Sequence, residues 1–99
     1  MNRETVFSQC RIYRYTLWRE WCYGNGYAMF IGLNPSTADE TTNDATIRRC
    51  IDYAQRWGYS ALCMTNLFAY RSTDPWKLHS VPEPGPIGPD NDKWIMACS

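Results

Sequence analysis

Two short polar segments hold the side chains best suited to chemistry. Residues 34–44 (NPSTADETTND) and 66–74 (NLFAYRSTD) each follow an apolar run, and together they offer amides, hydroxyls, carboxylates and a guanidinium. Such a set can hydrogen-bond a nucleobase, a sugar or a phosphate. The alternative is structural, because Asn-Pro-Ser forms turns and Asn43, Asp44 or Asp74 can cap helices.

The elements around these segments predict that they lie together. Residues 27–33 (YAMFIGL) and 61–67 (ALCMTNL) are apolar runs of strand length, and the first, apolar on both faces, is predicted as a central strand. Apolar residues at spacings of three and four predict a helix near 44–57, which Gly58 can end. Because the strands of a βαβ unit are parallel, both polar segments are expected at one sheet edge, where α/β proteins bind ligands.

The N-terminal part predicts a β-hairpin. Residues 10–21 (CRIYRYTLWREW) alternate with period two, which places Tyr13, Tyr15 and Leu17 on one face of a strand. The segment YGNGY then supplies a turn that delivers the chain into the middle of the sheet.

The C-terminal part is predicted to be less regular. Asp74 and Pro75 can begin a short helical turn through PWKLH, and Asp90 can cap a last helix through NDKWIMAC. Between them, residues 81–89 form a proline-rich loop. The chain, residues 1–99, is therefore expected to form a single α/β domain, with an N-terminal β-hairpin leading into a small parallel βαβ sheet.

Charge and aromatic patterning bear on nucleic-acid binding. Ten basic and ten acidic side chains cancel, which removes the bulk attraction to phosphate backbones. Arg11, Arg14 and Arg19 nevertheless interleave with aromatic residues in the first predicted strand. That pattern fits either a nucleic-acid platform or a solvated face over an aromatic core.

Cysteine, histidine and hydropathy patterns limit the class of protein. Five cysteines without a C-x-x-C pair predict reduced, structural thiols rather than a disulfide framework or a zinc site. His79 is the only histidine, so neither a metal site nor a cofactor is expected. Without a signal peptide or a run of about 18 apolar residues, a cytoplasmic protein with no membrane association is expected.

Three stretches carry a resemblance that covers nearly the whole chain: FIGLNPSTADETTNDATIRRC, WGYSALCMTNLFAYRSTDP and PIGPDND. They resemble a bacterial and phage family known as domain-of-unknown-function family 1643. Members of that family continue for several strands and helices beyond the GPDND helix. The resemblance therefore implies that this chain corresponds to the N-terminal part of the family's domain.

A more distant resemblance is to the uracil-DNA glycosylase superfamily, in which a Gly-x-Asn-Pro loop ends one strand and a Thr-Asn-Leu, Arg and Thr pattern follows a later one. The matching residues are Gly32, Asn34, Pro35, Thr65, Asn66, Leu67, Arg71 and Thr73. The resemblance implies a three-layer fold, here truncated, with Asn34 as the candidate for positioning the catalytic water. Phe68 or Tyr70 would stack on a flipped base. The later catalytic loop of those enzymes has no counterpart in these 99 residues.

These observations lead to hypotheses of different classes. The first is a nucleobase-, nucleotide- or nucleic-acid-binding protein with a glycosylase-like polar pocket, with or without surviving catalysis. The second is a phage-type inhibitor that binds a host defence complex, and the third is a non-functional truncation. An open sheet edge would also favour a homo-oligomer or another protein partner. The predicted site comprises catalytic Asn34 and ligand-binding Pro35, Ser36, Thr37, Asn43, Asn66, Phe68, Tyr70, Arg71 and Thr73.

Overall fold

A computed structural model describes residues 4–82 and 84–99. It contains four strands that form one sheet in the order β1-β2-β4-β3, with helices between and after them. The strands are β1 (Thr5–Phe7), β2 (Arg14–Glu20), β3 (Tyr27–Gly32) and β4 (Ala61–Asn66). The helices are α1 (Ala45–Arg56), a 3₁₀ helix (Pro75–Ser80) and α2 (Asn91–Cys98).

The predicted βαβ unit is confirmed. Strands β3 and β4 pair in parallel from Tyr27 opposite Ala61 to Gly32 opposite Asn66, and α1 packs against both. Strand β2 pairs antiparallel with the other side of β4, so the sheet is mixed. Alternate residues of β4 face the two helices: Met64 packs in the core under α1, whereas Cys63 lies beside Cys98 of α2. The fold is therefore α/β, with a helix on each face of the sheet.

The N-terminal hairpin is confirmed, but its strands differ from those expected. It is formed by β1, which the sequence analysis missed, and β2. Gly24 and Gly26 adopt positive φ angles of 99° and 71° in a turn between β2 and β3, yet these strands lie on opposite sides of β4. The prediction of a β2–β3 hairpin is therefore wrong. Strand β4 takes the central place because all six of its residues are buried, and β3 is an edge strand rather than a central one.

A β-bulge changes which face the residues of β2 occupy. The register against β1 shifts opposite Tyr15, which is an extra residue on β2. Tyr13 and Tyr15 pack in a cluster on the α2 side, whereas Leu17 belongs to the core under α1. Arg14 lies on the α1 side too, where it lines a cavity with the first turn of that helix. The predicted placement of Tyr13, Tyr15 and Leu17 on one face is therefore wrong, because the bulge interrupts the alternation.

Two of the three N-terminal arginines are buried. Arg14 and Arg19 are 2% and 0% exposed, so neither the solvated face nor the surface platform applies to them. Arg11 is exposed and forms an ion pair with Glu40 at 2.8 Å between Nη2 and Oε1. The pattern of arginines and aromatics therefore arises from two buried cations beside an aromatic core.

The helix boundaries follow the predicted caps. Asp44 is the N-cap of α1, because its Oδ1 accepts a hydrogen bond from the Ile47 N–H at 2.9 Å. Gly58 follows the helix with a φ of 86°. Asp74 accepts from the Trp76 N–H and begins the 3₁₀ helix. The predicted proline-rich loop contains no helix or strand in its described part, and Glu83 within it lies outside the described residues.

Candidate functional site

A cavity of about 230 Å³ lies at the carboxyl ends of β3 and β4; six of its twelve lining residues are polar, and it is called the polar cavity. It is bounded by the β3–α1 loop, the first turn of α1, the end of β4 and the start of β2. Because the strand ends, the loop and the helix N-terminus meet here, the cavity has the position expected for a ligand site in an α/β fold. Its polar lining residues are Arg14, Asn34, Ser36, Asp44, Thr46 and Asn66.

Arg14 is a buried cation with few partners. Its Nη1 donates to the Ala38 carbonyl at 3.1 Å, whereas its Nε has no hydrogen-bond partner among the described residues. No described carboxylate forms an ion pair with it. Burial lowers the pKa of Arg14 to about 10, although the nearby Asp44 carboxylate acts in the opposite direction. Of the five N–H donors of the guanidinium, one is therefore used, in the hydrogen bond to Ala38.

Asn66 adds a second unpartnered donor. The residue is 3% exposed, and its side-chain nitrogen has no partner within the described part of the chain. Its Oδ1 lies so close to Gly32 that a Cβ there would be 2.8 Å away, which explains the need for glycine at this point. The Asn66 backbone carbonyl accepts from Nδ2 of Asn91 at 2.8 Å, so α2 helps to fix the end of β4.

Asn34 joins the two polar segments. Its Nδ2 donates to the Pro35 carbonyl at 3.1 Å and to the Ser72 carbonyl at 2.9 Å. Both amide hydrogens are therefore bonded to backbone carbonyls, and Oδ1 is the side-chain atom left to bind a ligand or a water molecule. A role in positioning a catalytic water stays a prediction.

Arg19 fixes the loop between β3 and α1. Its Nε donates to Oδ1 of Asn43 at 2.7 Å, and its Nη2 donates to the carbonyls of Asp39 and Thr42. The Asp39 carboxylate accepts from the backbone N–H groups of Thr41 and Thr42, and these bonds lower its pKa. Asn43 thus supports the loop and does not line the polar cavity.

The N-terminus of α1 opens onto the same cavity. The two carboxylate oxygens of Asp44 accept from the N–H groups of Ile47 and Ala38, at 2.9 and 3.3 Å. The next residues, Ala45 and Thr46, have N–H groups without an intrahelical acceptor because they lie in the first turn. The helix dipole adds partial positive charge at this end.

An apolar cavity of about 380 Å³ adjoins the polar one. Leu33 and Pro75 line both, so the two spaces share a wall. Phe68 contributes an aromatic ring to the apolar cavity, and so does Trp76, which is 79% exposed. The Trp76 and His79 ring centroids are 6.0 Å apart. Together the two cavities offer polar groups at one end and aromatic surface at the other.

The structure brings together only part of the predicted site. Asn34, Pro35, Ser36 and Asn66 line the polar cavity, and Phe68 lines the adjoining apolar one. Other predicted residues line neither cavity: Thr37, Asn43, Tyr70, Arg71 and Thr73.

Two of these residues have defined contacts elsewhere. The Arg71 guanidinium lies 4.7 Å from the centroid of the Phe7 ring, and its Nη1 donates to the Arg11 carbonyl at 3.3 Å. The Tyr70 ring packs edge-on against Tyr13 at a centroid distance of 6.0 Å. Both side chains therefore contact the N-terminal part of the chain rather than the cavities at the strand ends.

The predicted site does not include Arg14, Thr46 or Trp76, which line the two cavities. The sequence places Arg14 in a pattern that fits a surface as well as a core, because β2 also contains Thr16, Arg19 and Glu20, and no residue type there marks Arg14 as buried. Trp76 falls in the short 3₁₀ helix, where no sequence pattern shows that a tryptophan lines a cavity.

Comparison with known proteins identifies the family. Residues 14–99 match the family described as "Protein of unknown function (DUF1643)", and the chain belongs to it. No curated protein and no solved structure matches the chain.

The described part of the chain has neither a membrane-spanning helix nor a cluster of metal ligands. Within residues 4–82 and 84–99, no helix has the length and apolar character needed to cross a membrane. The same residues contain no cluster of three or more His, Cys, Asp or Glu side chains that could hold a metal ion.

Proposed function

We propose that this protein binds a nucleobase or nucleotide in the two adjoining cavities at the strand ends. The observation that carries the proposal is their shared wall, which joins unpartnered nitrogens of Arg14 and Asn66 to the aromatic surface of Phe68 and Trp76. A nucleotide combines an aromatic ring with polar sugar and phosphate groups, so its two ends match the two cavities. Stacking of a base on an aromatic side chain contributes roughly 1–3 kcal/mol.

Charge favours a small ligand over a long nucleic acid. The chain is formally neutral, with ten basic and ten acidic residues, and two of its arginines are buried. Binding to a polymer depends on many exposed cations that displace counterions from phosphates. A single nucleotide, or the end of a strand, requires only the few cationic groups beside the cavity.

The lining of the polar cavity favours binding of a ligand without catalysis. Among its described lining residues, Asp44 is the one carboxylate, and both of its oxygens accept backbone N–H groups. A general base must reach the proton that it removes, and the N-cap position fixes the Asp44 carboxylate at the start of α1. Glycosylase-like hydrolysis with a water held by Oδ1 of Asn34 is therefore the less favoured variant. Release of free base from a nucleoside or from DNA would establish it.

Tryptophan fluorescence and calorimetry test the proposal. Bases, nucleosides, nucleoside monophosphates and short single-stranded DNA are titrated into the protein, and at least one is expected to bind with quenching of Trp76. Trp76→Ala should weaken binding of the base by about tenfold or more, since it removes a stacking partner. Trp57→Ala is the matched control, because Trp57 is also exposed but stacks on Phe30 and Tyr53 beside α1. Absence of binding, or equal effects of both variants, would contradict the proposal.

A second candidate function is protein association through β3. Within the described chain β3 pairs only with β4, so its other edge has unpaired backbone groups. Ile31 and Leu33 beside that edge are 53% and 49% exposed. We propose that a second copy pairs antiparallel with this edge, because a two-fold axis makes an edge strand complementary to itself. In the inhibitor hypothesis, a host protein adds to the same edge.

Sedimentation over a range of concentrations tests self-association. The protein is expected to form dimers, and Ile31→Lys should shift them to monomers because a charge on an edge strand opposes pairing. Met96→Lys is the control, since Met96 is exposed on α2. A protein that stays monomeric at every concentration would contradict the dimer. A different protein would then be the candidate for pairing with the β3 edge. The free thiols of all five cysteines favour a reducing compartment, which is the basis for proposing a cytoplasmic location.

A further inference from the structure

We propose that the polar cavity is a phosphate-binding subsite, in which Arg14, the Asn66 amide and the N-terminus of α1 hold one phosphate group. The inference rests on the proposed function for the rest of the ligand, because the base would occupy the apolar cavity. It adds that the protein selects phosphorylated ligands over the corresponding nucleosides and bases.

The first reason is the state of Arg14. The residue is 2% exposed, its guanidinium makes one hydrogen bond, to Ala38, and it has no ion pair among the described side chains. A buried cation is normally paired, because an unpaired buried charge is strongly unfavourable. A phosphate is the natural partner, since the planar guanidinium can donate two parallel hydrogen bonds to it.

The second reason is that further hydrogen-bond donors reach the cavity from two other elements, β4 and α1. Asn66 contributes a buried side-chain nitrogen without a partner, on the end of β4. Thr46, in the first turn of α1, lines the same space, where helix N–H groups remain without intrahelical acceptors. Helix N-termini bind phosphate because these N–H groups and the helix dipole both favour an anion.

The charges around Arg14 are positive overall. The groups that act on it electrostatically are the Asp44 carboxylate and two further guanidiniums, those of Arg19 and Arg71. These groups leave a net positive charge near Arg14, although Arg19 and Arg71 line neither cavity. The Asp44 carboxylate is already the N-cap of α1, bonded to the N–H groups of Ile47 and Ala38, so a phosphate would use the other first-turn N–H groups, those of Ala45 and Thr46.

The number of donors distinguishes phosphate from carboxylate. Arg14, Asn66 and the first turn of α1 approach from three elements, and the Ser36 hydroxyl lines the same cavity. A carboxylate has two oxygens in one plane, whereas a phosphate group presents three oxygens in a pyramid. The arrangement around the cavity therefore fits the phosphate better.

Calorimetric titration and thermal unfolding test the inference with defined probes: inorganic phosphate, acetate, the four nucleosides and their 5′-monophosphates. Inorganic phosphate is expected to raise the melting temperature more than acetate at equal ionic strength. At least one monophosphate is expected to bind about tenfold or more tightly than its nucleoside, as for other charge-assisted contacts.

Variants identify the residue responsible. Arg14→Met should bring the ratio of nucleotide to nucleoside affinity close to one and abolish the response to inorganic phosphate. Arg14→Lys keeps the charge but not the planar fork, so it should give an intermediate ratio. Arg49→Met is the control, because Arg49 is an exposed arginine of α1 and should retain the full ratio.

The outcomes separate the two proposals. Nucleosides that bind as tightly as their monophosphates, with no response to phosphate, overturn the phosphate subsite and support the proposed function. A response to phosphate that depends on Arg14, without binding of any base or nucleoside, supports the subsite and overturns base binding. No response to any probe overturns both.

Discussion

Replacement of Arg14 by methionine provides a direct energetic test of the polar cavity. The substitution keeps a long unbranched side chain on β2 but removes the charge and the donors. Burial lowers the pKa of Arg14 to about 10, which corresponds to a penalty on the charged form of roughly 3 kcal/mol in the free protein. The variant loses one hydrogen bond, and the buried Ala38 carbonyl is left without that donor, at a cost of about 1–3 kcal/mol. Arg14→Met is therefore expected to be at least as stable as the wild type and more stable by up to about 2 kcal/mol.

Urea unfolding, followed by tryptophan fluorescence in buffer without phosphate, measures the effect as a shift of the midpoint at constant slope. Arg19→Met is the matched control on the same strand. Its guanidinium donates to Asn43 and to the carbonyls of Trp18, Asp39 and Thr42, so its removal should destabilise the protein by at least about 2 kcal/mol. Equal destabilisation by both substitutions would refute the reasoning, since Arg14 would then be as well satisfied as Arg19.

The pH dependence has a defined sign. Because the pKa of Arg14 is lower in the folded protein than in the unfolded chain, the folded protein loses this proton first as pH rises. The destabilisation that the buried charge causes is fully present below pH 10. It is relieved above pH 10, since stability increases wherever the unfolded chain binds more protons than the folded one. The stability difference between Arg14→Met and the wild type should therefore shrink above pH 10. A difference that stays constant through that range would show that Arg14 keeps its proton there and would contradict the lowered pKa.

Three further predictions concern the cap, the strand end and the thiols. Asp44→Ala should lower the free energy of unfolding by about 1–2 kcal/mol in urea titrations, because α1 loses its N-cap. Asp44→Asn should lower it by less, since Asn also caps helices. Equal losses would contradict a capping role. Gly32→Ala places a Cβ 2.8 Å from Oδ1 of Asn66, so calorimetry should show weaker binding of phosphate and nucleotides; unchanged affinity would exclude Asn66 from the site. Cys10, exposed and with a pKa lowered by a serine hydroxyl, should react with iodoacetamide before Cys63, whose pKa is raised by burial. Peptide mass spectrometry gives the order, and early labelling of Cys63 would contradict its burial.

The local parts of the fold were predictable from the sequence. The parallel pairing of β3 and β4 and the position of α1 follow from two apolar runs joined by a helical pattern. The order of the strands was not predictable in the same way, because Gly24 and Gly26 indicate a turn but not which strand β2 will pair with. Strand β2 pairs instead with β4, which is distant in the sequence, and all six residues of β4 are buried.

The candidate site was predictable only where it depends on the loops. Asn34, Ser36 and Asn66 follow the ends of parallel strands, so their proximity results from the βαβ topology. Arg14 enters the cavity because the bulge at Tyr15 places it on the same side of the sheet as Leu17. A one-residue bulge leaves no sign in the alternation of residue types, and a period-two pattern assigns Arg14 to the opposite face.

The two buried arginines of β2 have different roles beside the cavity. Arg19 satisfies its donors within the protein and holds the β3–α1 loop, while Asn34 ties that loop to Ser72. The loop is therefore ordered before any ligand binds, which reduces the entropy lost on binding. Arg14 is the opposite case, because its donors are held in a buried position without an anion to accept them. In the free protein that arrangement is unfavourable, and under the proposed function a phosphate group would supply the paired charge. The free energy that destabilises Arg14 in the free protein would then contribute to affinity, which is why we expect stability and phosphate binding to change in opposite directions in Arg14→Met.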